Sequence, residues 1–159
     1  YVPSGTWPFV TRIERSGLQT LQNRDYVHGP QGLPLMKPPY ARITAISMES
    51  GDHVWVSAVG RGYENNSALS GVNIQGDLGA IQRVHAMTTK NLLITGQQRL
   101  TAFNLDSGDK IGEVDVPTSV VQGNLMGYEL NNKIYIIVPV GGGESSRGYP
   151  SELIAYSLN

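Results

Sequence analysis

Short apolar runs broken by glycine, asparagine and proline recur along this chain. They follow the two-residue alternation of strands, not the roughly 3.6-residue period of helices. Three runs look like copies of one pattern: RITAISMESGD (Arg42 to Asp52), RLTAFNLDSGD (Arg99 to Asp109) and ELIAYSLN (Glu152 to Asn159). In the first, Ile43, Ala45 and Ile46 supply the apolar positions; in the second, Leu100, Ala102 and Phe103 do so. Ser50-Gly51 and Ser107-Gly108 then interrupt the run, as tight turns require of a residue that accepts positive φ. His53 to Ser57 and Lys110 to Val114 resume it, so each of the two full copies predicts a hairpin. Asn91 to Thr95 reads as a strand before the second copy. Met126 to Leu130 and Lys133 to Val138 flank Asn131-Asn132, a hairpin turn signal.

Ala45 and Ala102 lie 57 positions apart, and Ala102 and Ala155 lie 53 apart. Self-similarity at such a stride predicts stacked supersecondary units, and about four short strands per unit is the arithmetic of a β-propeller blade. The fold expected is all-β, a partial propeller of two to three blades. Two full copies and part of a third do not close a ring, which takes at least about four blades. The expectation is a fragment of a larger propeller, an assembly of several copies, or blades supplied by another chain. Residues 152–158 are expected to be a closing strand, with Glu152 to Asn159 the true C-terminal end of a longer protein. Unpaired edges on the outermost sheets predict edge-to-edge association in solution.

Residues 1–40 contain Pro3, Pro8, Pro30, Pro34, Pro38 and Pro39 and little alternation. They are expected to be an irregular segment with one strand near its start, leading into the blades of residues 41–159. Residues 60 to 85 form a second long loop, and loops of this length commonly carry function.

Composition changes this picture little. In 159 residues 40% are hydrophobic, so a core is possible, while 16% are charged and the net charge is −1. That balance argues against a nucleic-acid partner, which draws clustered Lys and Arg. No apolar run reaches the roughly 18 residues of a membrane span, and no basic-then-apolar leader opens the chain. The absence of cysteine removes disulfides and thiolate metal sites.

Residues Gly32 to Trp55 (GLPLMKPPYARITAISMESGDHVW) resemble the quinoprotein dehydrogenases, eight-bladed propellers that carry pyrroloquinoline quinone (PQQ). The branch most similar is that of membrane-bound glucose and polyol dehydrogenases. TTKNLLITGQQRLTAFNLDSGDKIG resembles the next repeat, and MGYELNNKIYIIVPVGGGESSRGYPSELIAYSLN resembles the closing segment. The resemblance covers Gly29 to Asn159 and is weaker before His28. Ser47 and Asn104 stand where the family pattern has aspartate, and Gly112 stands where the second repeat would place its docking tryptophan. Ala41 replaces a glycine. Gly142 falls near a histidine position of the glucose branch.

The resemblance implies an alcohol or sugar dehydrogenase located in the periplasm. In it, calcium polarises the quinone carbonyl, an aspartate takes the alcohol proton, and the quinone accepts hydride. The calcium ligands and that aspartate come from earlier blades in the family, so no catalytic residue and no metal ligand is assigned here. On this view the chain supplies propeller wall and loops over the quinone, is inactive alone, and holds neither PQQ nor calcium tightly without the remaining blades. Candidate cofactor contacts are Lys37, Pro38 and Tyr40, with Lys37 facing a carboxylate of PQQ and Tyr40 walling the pocket. The others are Gly141, Gly142 and Glu144, in a glycine run whose amides suit an anion. The alternatives are a rigid loop with an exposed Lys and a packed Tyr, and a plain hairpin loop. His28, His53 and His85 show no metal-ligand spacing, with His53 read as a packing residue. Trp7 and Trp55 are read as core or inter-blade residues. A different functional reading is a non-catalytic repeat module that serves as a binding or assembly surface.

Overall fold

The computed structural model describes residues 1–116, 121, 123–141 and 151–158. The alternating runs form twelve strands among them, and no α-helix. Sheet I comprises β1 (Val2–Gly5), β4 (Ala41–Ile46) and β5 (His53–Ala58), in that spatial order. Sheet II is β6 (His85–Thr88), β7 (Leu92–Gly96), β8 (Arg99–Asn104) and β9 (Lys110–Asp115), each paired with the next. Sheet III is β10 (Met126–Leu130), β11 (Lys133–Val140) and β12 (Glu152–Leu158). All pairs are antiparallel.

The three sequence copies fall on β4, β8 and β12, which hold equivalent places in successive sheets. β4 is followed by the outer strand β5 as β8 is by β9, and β12 follows β10 and β11 as β8 follows β6 and β7. Even the irregularities repeat. Ala45 faces Trp55 and Ala102 faces Gly112, and both ladders shift register just after the alanine. The turns close alike: Ser47 N–H donates to Asp52 O at 2.9 Å and Asn104 N–H to Asp109 O at 2.9 Å. The chain is a run of three β-propeller blades, of which sheet II is complete with four strands.

The central strands β7 and β8 of sheet II are buried on both faces, which is how blades stack. Leu93 and Phe103 pack with Ile43 and Val59 toward sheet I. Ile94 and Leu100 pack with Ile136, Val138 and Val140 toward sheet III. Adjacent residues of a strand point to opposite faces, so the Leu93-Ile94 pair serves both junctions. This explains why β7 reads as a near-continuous apolar run instead of an alternating one.

Residues 1–40 depart from the expected irregular segment with a single strand. β1 pairs with β4 from Val2↔Thr44 to Gly5↔Ala41. β2 (Phe9–Ser16) and β3 (Gln19–Tyr26) form a separate two-stranded hairpin that interrupts blade I. The hairpin's polar composition hid it from an apolar-alternation reading, because its order comes from main-chain pairing and from Trp7, Phe9 and Tyr26 clustering at its base. β6 was also not foreseen; four residues carry little pattern, and pairing with β7 makes it a strand.

Candidate functional site

Antiparallel order sends alternate connections to opposite ends of the sheets. The short turns β4–β5, β6–β7, β8–β9 and β10–β11 lie at one end. The connections β1–β4, β5–β6 and β7–β8 lie at the other, where β9 and β11 also end. At this loop end a belt of main-chain bonds runs across the array. Tyr40 N–H donates to Leu78 O (2.8 Å), Val59 N–H to Ala41 O (3.0 Å), Gly79 N–H to Gly60 O (2.8 Å) and Val121 N–H to Gln97 O (2.8 Å). A bridge between Val121 and Val140 extends it to blade III.

Of the sequence-predicted residues, Lys37, Pro38, Tyr40 and Gly141 sit on this end but do not share a cavity among the described residues. Lys37 and Pro38 are exposed. Arg42 Nη1 donates to Pro39 O and Thr6 Oγ1, both at 3.3 Å, which fixes the loop behind them. Tyr40 is 6% exposed and its ring meets Tyr63 edge-on at 5.4 Å. Burial, and secondarily Tyr63, pushes its phenol pKa up, so it stays protonated at neutral pH. Gly141 is buried at φ +82° beside a cavity of about 320 Å³ near Pro139 and Ser151. Gly142 and Glu144 lie outside the described residues.

Two residues differ from their sequence reading. Trp7 is 45% exposed and stacks on Tyr26 at 4.6 Å, so it is not a core residue. His53 is exposed at the end of outer strand β5, where alternation no longer faces a neighbour. Trp55 does join blades: its Nε1 donates to Leu105 O at 3.0 Å in the β8–β9 turn.

The structure adds residues that spacing did not reveal. A recess of about 380 Å³ opens between β1 and the start of β6, lined by Trp7, Gln82, Arg83 and His85 among others. Arg83 is exposed and, like Lys37, makes no ion pair among the described residues. The loop 60–85 is held to the outer face of blade II by a charge network. Arg61 and Arg99 both donate to Glu113 Oε1 at 2.5 Å, and Lys110 joins Asp77 at 2.8 Å. Burial pushes the Glu113 carboxyl up. The hydrogen bond from Arg61, the charges of Lys110 and Arg61 and the bond from Arg99 outweigh that and hold it below the usual carboxylate range.

Residues 9–136 match the family model described as PQQ, glucose/ethanol/alcohol dehydrogenase, beta-propeller domain. The chain belongs to the PQQ-dependent dehydrogenase β-propeller family. It is 26% identical over 86% of its length to quinate/shikimate dehydrogenase (quinone) of Acinetobacter baylyi. It is 29% identical over 81% to quinoprotein glucose dehydrogenase A of Acinetobacter calcoaceticus, and 26% identical over 81% to quinoprotein glucose dehydrogenase of Escherichia coli. The chain spans only 16–17% of these relatives' own length.

The departures from the family pattern divide in two. Ser47 Oγ accepts from the N–H groups of Glu49 and Ser50, and Asn104 Oδ1 accepts from those of Asp106 and Ser107. Each does the turn-capping work of an aspartate acceptor. Gly112 does not replace tryptophan in this way; a Cβ there would meet nothing within 4 Å.

Calcium takes about six to eight oxygen ligands. Among the described residues no three His, Asp or Glu side chains converge, so no step through calcium is assigned to this chain. A flat tricarboxylate quinone needs cations and an aromatic face. Lys37, Arg83 and Trp7, of these types, are exposed at the loop end.

Proposed function

We propose that this chain is a propeller segment of a PQQ-dependent dehydrogenase that oxidises an alcohol or sugar, and that it works in the periplasm as one part of a longer protein or assembly. The observation that carries this reading is the family match over residues 9–136 on blades whose loops gather at one end. The short coverage of the relatives supports a part rather than a whole. So do the edges of β1 and β12 that pair with no strand among the described residues, which would accept strands of further blades or of other copies.

When bound, the quinone supplies the hydride acceptor. This chain's residues bind and shield. Lys37 and Arg83 would face its carboxylates as exposed cations, and Trp7 would offer a ring face. Tyr40 and the belt behind it would keep the loop end rigid, as a site needs its supporting residues fixed. No proton-transfer group is assigned here.

The test exchanges residues 1–159 for the matched stretch of the E. coli quinoprotein glucose dehydrogenase. PQQ with calcium should raise the melting temperature of the hybrid, and Lys37→Ala with Arg83→Ala should lower PQQ affinity. A folded hybrid with no PQQ-dependent shift would overturn the reading and leave the non-catalytic repeat module.

A further inference from the structure

We infer that the junction between blades II and III contains a binding site for a small planar aromatic molecule of indole size. It shares no residue with the loop-end set Lys37, Tyr40, Arg83 and Trp7. The neighbouring junction supplies the template. There Trp55 of the outer strand β5 faces Ala45 and packs against the cluster that contains Ile43, Leu93 and Phe103. Its Nε1 donates to Leu105 O at 3.0 Å. An indole ring thus fills the outer side of the junction between blades I and II.

The next junction repeats that frame without the ring. Aligning the copies RITAI, RLTAF and ELIAY makes Ala45, Ala102 and Ala155 equivalent, and makes Tyr156 the counterpart of Phe103. Gly112 faces Ala102 as Trp55 faces Ala45, so it holds Trp55's place in blade II. The alanine floor and the aromatic wall are both kept, and only the indole is lost. A Cβ on Gly112 would meet nothing within 4 Å. The cavity beside it is about 330 Å³ and is lined by Ile94, Leu100, Ala102, Ile136 and Tyr156 among others.

The lining sets the ligand class. Glu113 is the one charged residue among those that line the cavity, and its carboxylate is held by Arg61 from the loop between blades I and II. Adjacent residues of a strand point to opposite faces, so that carboxylate lies on the far side of β9 from Gly112. An ion therefore gains no partner in the slot. Apolar cavities stay dry, and one of roughly 150 Å³ already takes benzene. Tyr156 favours a ring over an aliphatic group, because aromatic pairs gain from offset-stacked or edge-on packing. Its hydroxyl donates to Asp115 O at 3.2 Å, which holds the ring in place. Ile111 and Val114 are exposed at the rim, so the slot is open to solvent. This inference goes beyond the dehydrogenase reading and does not rest on it.

The test is methyl NMR on the whole protein that carries this chain, titrated with indole as the probe and with cyclohexanol as its puckered counterpart. Indole should shift the methyl signals of Ile94, Ile111 and Ile136 saturably, and it should bind more tightly than cyclohexanol. Gly112→Trp puts the chain's own indole into the slot and should weaken indole binding about tenfold, with the Ile43 and Val59 methyls of the first junction unmoved. Gly112→Ala, a smaller intrusion at an exposed strand position, should weaken it about threefold. Absent or unsaturable shifts overturn the site, as does equal or tighter binding of cyclohexanol or an affinity indifferent to both variants. A crystal structure in which another side chain of the protein itself fills the slot beside Gly112 overturns it too.

Discussion

The two blade junctions of this protein are built on the same repeat, yet one is closed at its outer side and the other is open. Between blades I and II, Trp55 lies across the β8–β9 turn, where a Cβ on Gly108 would come within 2.5 Å of the indole. Ser57 Oγ donates to Gly108 O at 2.6 Å, and Tyr1 stands 5.5 Å from the indole and donates its hydroxyl to Leu105 O at 3.0 Å. Between blades II and III the equivalent position is Gly112, with an apolar cavity of about 330 Å³ beside it and Ile111 and Val114 more than half exposed. On the outer side Tyr156 Oη donates to Asp115 O at 3.2 Å, and at the loop end the His85 ring meets Asn124 Oδ1 at 3.4 Å. The inner halves of both junctions are packed alike by the two core clusters. The repeat therefore specifies the sheets and their stacking, while the outer side of each junction depends on what the outer strand and the neighbouring turn supply.

Trp55→Ala should break the comparison most strongly. It should cost about 3 kcal/mol, at the low end for a large aromatic because the ring is only half-buried, measured by urea denaturation. Gly108→Ala should cost about 2 kcal/mol, since its φ of +74° and the indole above it leave no space for a methyl group. A neutral result would mean that the turn moves freely and that the docking contact is incidental. Gly112→Trp should sharpen the comparison by turning the open junction into a closed one. A gain of about 1 kcal/mol is expected from apolar burial, and an equal loss would show that the cavity is not an unfilled docking site. Tyr156→Phe should cost about 1 kcal/mol, one hydrogen bond.

The smallest effect separates the junctions by pH. Glu113 joins the loop of the first junction to β9, and its folded carboxyl is held below its usual 4.5. A depressed carboxylate adds stability above its unfolded pKa and loses it as pH falls through the folded one. Acid titration below about pH 4.5 should therefore loosen loop 60–85 before blade III, seen as faster amide exchange at Gly60 and Gly79. Glu113→Gln should flatten that dependence.

Much of blades II and III could be read from the chain. β10 runs from Met126 to Leu130 as alternation required, and Asn131 and Asn132 adopt the positive φ values, 52° and 59°, that a tight hairpin turn demands. The β2–β3 hairpin could not be read in this way, because strands paired with each other alone need no apolar face. The site was legible only in outline. Lys37 and Gly141 do lie at one end of the array, yet Arg83 and Gln97 gave no signal in the sequence. A lone Arg in a loop and a Gln in a turn acquire meaning only from what folds against them.

By itself, the sequence determined the strand period, the turn residues, the repeat and the family, since each is written in local alternation and spacing. The tertiary structure decided which ends of the sheets gather, which face of β7 meets which blade, and that Gln97 is buried, its amide donating to Ala80 and Gln82. Those depend on contacts between residues far apart in the chain, and no local pattern encodes them.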